Sequence, residues 1–285
     1  MSTEPRACVL GWPVRQSRSP MIHGHWLKIY GLLGSYEHAE VPPEDFEAFV
    51  RAFAENGFVG GNVTAPHKEA AFALLDHAEP SAAALGAANT LWFADDRLHG
   101  ANTDGFGFLA NLDDRAPGWE GGRKVALVLG AGGASRAVAH ALAGRGFERV
   151  AVVNRTVERA ETVAALAGAA GVACGYDELW RWLALADVVV NATSLGMAGK
   201  GALDVHLGEM RDEAVVTDLV YVPLETPFLA AAKAQGNRTV DGLGMLLHQA
   251  VPGFERWFGV RPEVTPELRA LVIDDILRGQ DGGRS

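Results

Sequence analysis

The sequence predicts an α/β protein of two domains, one of them built on a parallel sheet covered by helices on both faces. Three observations carry this. The chain has 285 residues, too many for one ordinary core and enough for two. Largely apolar runs recur at 125–129, 150–153, 188–190 and 215–220. Strands buried on both faces need such runs, because neither side of the pleat meets water. The first hundred residues instead alternate short strands with amphipathic helices.

Taken in order, residues 7–10 form a strand. Ser19-Pro20 opens a helix, with the serine as N-cap and the proline at the first helical position, and Gly31 closes it. Residues 36–41 are a second strand. Phe46, Phe49, Val50 and Phe53 repeat at i, i+3, i+4 and i+7, which predicts a helix over 43–55 ended by Asn56-Gly57. After Gly60-Gly61 the piece Asn62-Val63-Thr64 is extended. A helix then starts at Pro66 and carries Phe72, Leu74 and Leu75. Residues 90–93 and 97–99 flank Asp95-Asp96 as a hairpin, and a further helix starts near Asp104. Beyond the strand at 125–129 come a glycine loop and an alanine-rich helix. Residues 223–234 add a helix, and the chain returns through Asp241-Gly242-Leu243-Gly244 to helices ending near Leu277, with 278–285 as a frayed tail.

Composition removes several classes of function. Apolar residues make up 48% and charged residues 21%, a globular balance. The net charge of −10 argues against nucleic acid, which draws a basic face. No apolar run approaches the roughly 18 residues of a membrane span. Residues 1–6 lack the n-region and h-region of a signal peptide, so a cytoplasmic protein is expected. Cys8 and Cys174 have no CxxC partner, and Cys8 in its apolar run reads as a small buried hydrophobe. The nine histidines show no ligand-spaced cluster, which disfavours a bound metal and a metal-dependent reaction.

The strand at 125–129 runs into Gly130-Ala131-Gly132-Gly133-Ala134-Ser135. Glycines there let the backbone turn tightly and approach a pyrophosphate held on a helix N-terminus. Ser135 replaces the third glycine of the dinucleotide fingerprint, but the strand before, the helix after and the second strand at 150–153 supply its context. A site for NAD would place a carboxylate after that second strand to accept from the ribose hydroxyl. This chain has Asn154-Arg155-Thr156 instead, with Arg159 one turn later. Guanidinium forks suit a 2′-phosphate, so NADP is the expected cofactor; the plainer reading pairs both arginines with Glu158 and Glu161 on a solvated helix.

The first domain carries polar groups where a core would not want them. Ser17 and Ser19 stand at a helix N-terminus, where hydroxyls and free N–H groups can hold a carboxylate. Ser19 can equally be an ordinary N-cap. Lys68 falls in the first turn of a helix, the wrong end for a cation. Such a lysine should release its proton more easily, unless its long stem simply carries the charge into water. Nothing in the sequence orients His67 as a base. Asn89-Thr90 and the run 100–107 add amides and a carboxylate; Asp104 could be a plain N-cap or the partner of Lys68.

Together these segments resemble the shikimate dehydrogenase family, whose members reduce 3-dehydroshikimate to shikimate with NADPH. The resemblance runs over nearly the whole chain. It rests on GxPxxxSxSP at 11–20, NVTxPxK at 62–68, AANT at 87–90, GxNTDxxG at 100–107 and GAGGASRA at 130–137. It continues in NRTxxRA at 154–160, NATSxGM at 191–197, DGLGML at 241–246 with Gln249, and Trp257-Phe258-Gly259.

The resemblance implies that Ser17 and Ser19 hold the substrate carboxylate. It implies that Thr64, Lys68, Asn89, Asp104 and Gln249 bind ring hydroxyls, that Lys68 is the general acid and base with Asp104 as its partner, and that Tyr221 also reaches substrate. Gly130, Ala131, Gly132, Gly133, Ala134, Asn154, Arg155, Thr156, Arg159, Thr193, Leu219 and Gly242 would contact NADP. After Tyr221 the family usually reads Asn-Pro; this chain has Val222-Pro223.

The fold so implied is a discontinuous α/β substrate domain, residues 1–104 with C-terminal helices 244–285, around an inserted Rossmann NADP-binding domain at 105–243. The site would lie in the cleft between them, where closure excludes water. A monomer or homodimer is expected. Quinate or aminoshikimate dehydrogenases share most of these motifs, but relatives acting on quinate tend to lose the second serine, and Ser19 is present. A non-catalytic NADP-responsive regulator on the same fold is the alternative from another class; Lys68 and Asp104 speak against it.

Overall fold

A computed structural model describes residues 4–282. The chain divides into two compact units, Met1–Thr103 with Gln249–Ser285, and Asp104–His248. The first contains β1 (Arg6–Gly11), α1 (Ser19–Ile29), β2 (Ser35–Glu40), α2 (Phe46–Arg51), β3 (Phe58–Val63), α3 (Lys68–Ala73), β4 (His77–Ala78), α4 (Pro80–Leu85), β5 (Thr90–Ala94) and β6 (Arg97–Ala101). The second contains α5 (Asp104–Arg115), β7 (Val125–Leu129), α6 (Gly133–Gly144), β8 (Arg149–Val153), α7 (Val157–Ala164), β9 (Gly171–Cys174), α8 (Leu179–Leu183), β10 (Val188–Asn191), β11 (Val215–Asp218), α9 (Pro227–Ala234) and β12 (Arg238–Val240). The chain leaves it through α10 (Leu243–Phe258) and ends in α11 (Pro266–Gly282).

The sheet of the first unit has the order β2-β1-β3-β5-β6-β4. β1 pairs in parallel with β2 and β3, and β5 runs antiparallel to β3 and β6. Asp95 and Asp96 form the two-residue turn of the β5–β6 hairpin, both with positive φ (51° and 57°), as the right-handed strand twist demands of so short a loop. Alternation along β1 sends Cys8 and Leu10 to one core with Phe46, Val50 and Phe53, and Ala7 and Val9 to another with Tyr36, Trp92 and Trp257. Burial pushes the Cys8 thiol well above its usual pKa, so it behaves as the small hydrophobe expected.

The second sheet is all parallel, in the order β12-β11-β10-β7-β8-β9. Both faces are buried. Ala126, Val128, Val150, Val152, Val188 and Val190 meet Phe108, Leu112, Val138 and Leu142 on one side. Leu127, Leu129, Ala151, Val153 and Val189 meet Leu179, Trp182, Phe228 and Leu229 on the other. This is the physical reason for the apolar runs. The order reverses between β7 and β10, and in open parallel sheets ligands sit outside the carboxyl ends at that point. Among the described residues, no helix is long and apolar enough to cross a membrane.

Several boundaries differ from those expected. The helix placed at 43–55 shrinks to a 3-10 turn at Pro43–Asp45 and α2, which stops at Arg51. Phe46, Val50 and Phe53 are still buried, so the spacing marked a face rather than a hydrogen-bond ladder. Burying each contributes roughly 1.5–3 kcal/mol, more than any helix propensity difference at these positions. The helix expected from Pro66 begins at Lys68, because His67 N–H closes a turn onto the Thr64 carbonyl. The helix placed at 223–234 begins at Pro227, capped by Thr226, whose hydroxyl accepts Leu229 N–H at 3.3 Å. Ser19 is not the N-cap of α1; Arg18 is. α11 continues to Gly282 where a frayed tail was expected, and 283–285 lie outside the described residues.

Candidate active site

Four turns meet at one edge of the first sheet, because parallel β1 and β3 end where antiparallel β5 begins and β6 ends. The turn after β1 carries Ser17 and Ser19. That after β3 carries Thr64 and Lys68. The approach to β5 carries Asn89, and β6 leads into Asn102 and Thr103. Backbone bonds hold the turns together: Trp12 N–H to Ala65 O (3.2 Å), Val63 N–H to Asn89 O (2.8 Å) and Ala88 N–H to Lys68 O (2.9 Å).

A buried polar seam lies behind these turns. Tyr36 hydroxyl donates to Asn62 Oδ1 at 2.7 Å, and Asn62 Nδ2 donates to Asn89 O and Thr90 Oγ1, both at 3.2 Å. Asn89 Oδ1 accepts Thr90 Oγ1 (3.0 Å), Thr103 N–H (2.8 Å) and Thr103 Oγ1 (3.1 Å). The single Thr103 hydroxyl proton is shared between Asn89 Oδ1 and the carbonyl of Gln249, 2.9 Å away, which ties α10 to the seam. Burial raises the Tyr36 pKa well above its usual value, so its hydroxyl stays a neutral donor. Fully paired buried networks of this kind hold side chains in one geometry.

The predicted residues at this edge differ in exposure. Ser19 and Asn89 are buried, while Ser17, Thr64, Lys68 and Gln249 are half-buried. Ser17 Oγ donates to Ser19 Oγ at 3.2 Å and accepts Ser19 N–H at 3.3 Å, so the two hydroxyls form one cluster. Lys68 is the first residue of α3, the position in which a cation opposes the helix dipole. His67, which nothing in the sequence orients, is in fact held: its ring stacks on Phe46 at 4.3 Å and its Nε2 bonds the Val41 carbonyl at 2.8 Å. It is buried and serves packing. Asp104 opens α5 directly after Thr103 and is 9% exposed.

The second unit gathers the other predicted residues at the carboxyl edge of its own sheet. Gly130 has φ +101° and donates its N–H to Val153 O at 2.8 Å, which places the glycine loop beside the turn at 154–156. A Cβ at Gly130 would lie 2.6 Å from Thr193 Cγ2, so the loops after β7 and β10 touch at the topological switch. Gly242 is equally confined, its missing Cβ falling 2.4 Å from the Leu219 carbonyl. Gly132 and Gly133 are exposed at the start of α6, and a Cβ on either would meet nothing within 4 Å. Internal packing therefore does not demand them, and the backbone there is open to close approach by a ligand. Ser135 is buried, and its hydroxyl accepts Gly132 N–H at 3.1 Å, bracing the loop in place of the third glycine.

Arg155 and Arg159 are exposed at the end of β8 and the first turns of α7, and neither forms an ion pair with Glu158 or Glu161. With no carboxylate at that strand end, this donor set fits a dinucleotide bearing a 2′-phosphate. Ala131, Asn154, Thr156, Thr193, Leu219 and Tyr221 occupy the same carboxyl-end loops, Tyr221 half-buried, and Ala134 lies in the first turn of α6.

Sequence reasoning missed the carboxylate that ties these loops together. Asp218 and Asn191 are both 0% exposed. Asp218 Oδ1 accepts Asn191 Nδ2 (3.0 Å) and Val220 N–H (2.9 Å), and Oδ2 accepts the Thr226 hydroxyl (2.7 Å). Asn191 Oδ1 in turn accepts Thr193 N–H (3.0 Å) and its hydroxyl (2.8 Å). Burial raises the Asp218 pKa, and the bonds from Asn191, Thr226 and Val220 pull it back. The available signal was a lone Asp and a lone Asn closing otherwise apolar strands.

Known proteins match this arrangement from end to end. Family models described as the shikimate dehydrogenase substrate binding domain, shikimate / quinate 5-dehydrogenase, and the shikimate 5′-dehydrogenase C-terminal domain match residues 9–91, 119–214 and 242–271. A shikimate dehydrogenase (NADP(+)) of Azorhizobium caulinodans is 58% identical over 278 residues, 97% of this chain and 99% of that one. The chain belongs to the shikimate dehydrogenase family.

Solved structures of the family agree. That from Thermus thermophilus, in complex with NADP(H) and shikimate, is 39% identical with a TM-score of 0.82, covering 95% of this chain and 99% of its own. A quinate dehydrogenase from Corynebacterium glutamicum in complex with NAD is 30% identical with a TM-score of 0.87, covering 94% and 99%. Membership of the shikimate dehydrogenase family accounts for the two α/β units and the Rossmann strand order of the second.

Proposed function

We propose that this chain catalyses the reversible reduction of 3-dehydroshikimate to shikimate with NADPH, a step towards chorismate and the aromatic amino acids. The observation that carries the reading is the near full-length identity, 58% and 57%, to relatives named for that activity and cofactor. In this reading the first unit is the substrate domain and the second the NADP domain. The hydroxyls of Ser17 and Ser19, at the start of α1, hold the substrate carboxylate. Thr64, Asn89, Tyr221 and Gln249 orient the ring hydroxyls. Lys68 takes the proton from the carbinol oxygen on oxidation and returns it on reduction, and Asp104 holds the ammonium in place. Gly130 to Ala134 seat the pyrophosphate. Asn154, Arg155, Thr156 and Arg159 hold the 2′-phosphate, and Thr193, Leu219 and Gly242 line the remainder. NADP, when bound, accepts or supplies the hydride.

The same reading makes the protein a cytoplasmic monomer or homodimer that binds no nucleic acid. Initial rates with shikimate and quinate, each against NADP and NAD, test it. Shikimate with NADP should be the fastest pair. Faster turnover of quinate would move the chain to the quinate branch of the family, and cofactor binding without turnover of either acid would make it a regulator.

A further inference from the structure

We infer that Asp275, on the C-terminal helix α11, is a positioning residue for the Ser17–Ser19 pair, acting through Arg18. The inference rests on the reading that those serines hold the substrate carboxylate. Arg18 is the N-cap of α1, with φ −87° and ψ 0°, and its carbonyl accepts the helical bond from Ile22 N–H at 3.1 Å. Its side chain makes no capping bond. Caps favour short side chains that accept from the first N–H groups, and a cation there faces the positive end of the helix dipole. Local preference therefore does not explain an arginine at position 18.

Tertiary structure does. Arg18 Nε donates to Asp275 Oδ2 at 2.9 Å, across 257 residues of sequence, and the arginine side chain is only 18% exposed. The opposite side of the same turn is held from β2. His38 Nε2 bonds the Ser17 carbonyl at 2.9 Å, and Glu40 accepts Val14 N–H at 3.4 Å and Arg15 Nε at 3.3 Å. The serine turn is thus clamped between β2 and α11, with Asp275 neutralising the one cation that stands between the two hydroxyls. A substrate carboxylate then meets two hydroxyls in a fixed position, not a mobile guanidinium.

The test compares Asp275→Asn, Asp275→Glu, Ser17→Ala and, as control, the neighbouring exposed Asp274→Asn in the full chain. KM for shikimate, kcat and NADPH affinity by cofactor fluorescence are measured, with thermal melting alongside. Asp275→Asn should raise KM for shikimate about three- to tenfold, leaving kcat and NADPH affinity unchanged. Asp275→Glu should return KM to within about twofold of the parent, and Asp274→Asn should change nothing. If Ser17→Ala raises KM while Asp275→Asn does not, the positioning role is overturned. If Ser17→Ala also leaves KM unchanged, the carboxylate reading itself fails. A lower KM in Asp275→Asn would make the freed arginine a substrate ligand and overturn the inference. A matching loss of kcat or NADPH affinity would mark general damage and overturn it too. Should Asp275→Asn not fold, Arg18→Gln carries the same expectation.

Discussion

His23 should make the protein lose stability in mild acid, by an amount that can be worked out. The side chain is 0% exposed, and only the Asn62 side chain pulls against the cost of its burial. Its ring stacks on Tyr36 at 3.9 Å, with Trp26 and Trp257 each 5.6 Å away and Phe254 at 5.8 Å. Burial among these rings pushes its pKa from 6.5 down to about 3. The unfolded chain therefore takes up a proton below 6.5 that the native protein refuses until about 3. Stability from this group is fully present above 6.5 and is lost as pH falls towards 3. At about pH 5 the loss is roughly 2 kcal/mol, at 1.36 kcal/mol per pH unit below the unfolded pKa. His23→Phe keeps a ring against Tyr36 and removes the titration. Urea denaturation followed by tryptophan fluorescence, at about pH 7.5 and about pH 5, should show the parent losing some 2 kcal/mol more than the variant between the two conditions. Equal losses would refute the argument: the imidazole would then be charging in the folded state.

Three further expectations follow from the sites. Lys68→Ala should lower kcat by about 10²- to 10⁴-fold, the usual contribution of a general acid–base, while NADPH still quenches or enhances fluorescence at the parent concentration. Lost cofactor binding in that variant would contradict the assignment. Arg155→Ala should weaken NADP by about tenfold or more and leave NAD almost untouched, since a charge-assisted bond to phosphate is worth about 1.5–3 kcal/mol. Equal effects on KM for both cofactors would count against 2′-phosphate recognition. Asp218→Ala, which strands three donors in the interior, should cost about 3 kcal/mol or more in denaturation, whereas Asp218→Asn should stay within about 1 kcal/mol. Because burial raises the Asp218 pKa, its ionisation subtracts stability as pH rises beyond the ordinary carboxylate range, so the asparagine variant should gain on the parent towards neutral pH. An asparagine variant as unstable as the alanine one would show that the charge itself is required.

The elements most legible beforehand were those whose cause is local. The apolar run 125–129 followed by Gly130-Ala131-Gly132 reads as a buried strand turning sharply into a helix, and β7 and α6 are that. Asp95-Asp96 between the extended pieces 90–93 and 97–99 specified a hairpin because both residues tolerate positive φ. Helix limits were less legible. Pro66 and Pro223 looked like helix starts by type, yet the first helical residues are Lys68 and Pro227, since His67 N–H closes a turn on the Thr64 carbonyl and Thr226 caps the later helix. β4, β9 and β12, two to four residues each, are too short to show a period of their own and exist through their neighbours.

Sequence by itself determined the α/β class, the cofactor loop and the residue types that can hold a carboxylate, a phosphate and a proton. Those depend on backbone freedom, side-chain chemistry and short-range periodicity, all written within a few residues. Only the tertiary structure decided the strand orders, the Tyr36–Asn62–Asn89–Thr103 seam, the Asn191–Asp218–Thr226 tie and the pairing of Arg18 with Asp275. Each of these joins groups far apart in the chain, and a buried polar atom takes whichever partner the packed backbone brings within 3 Å or so, whatever its distance in sequence.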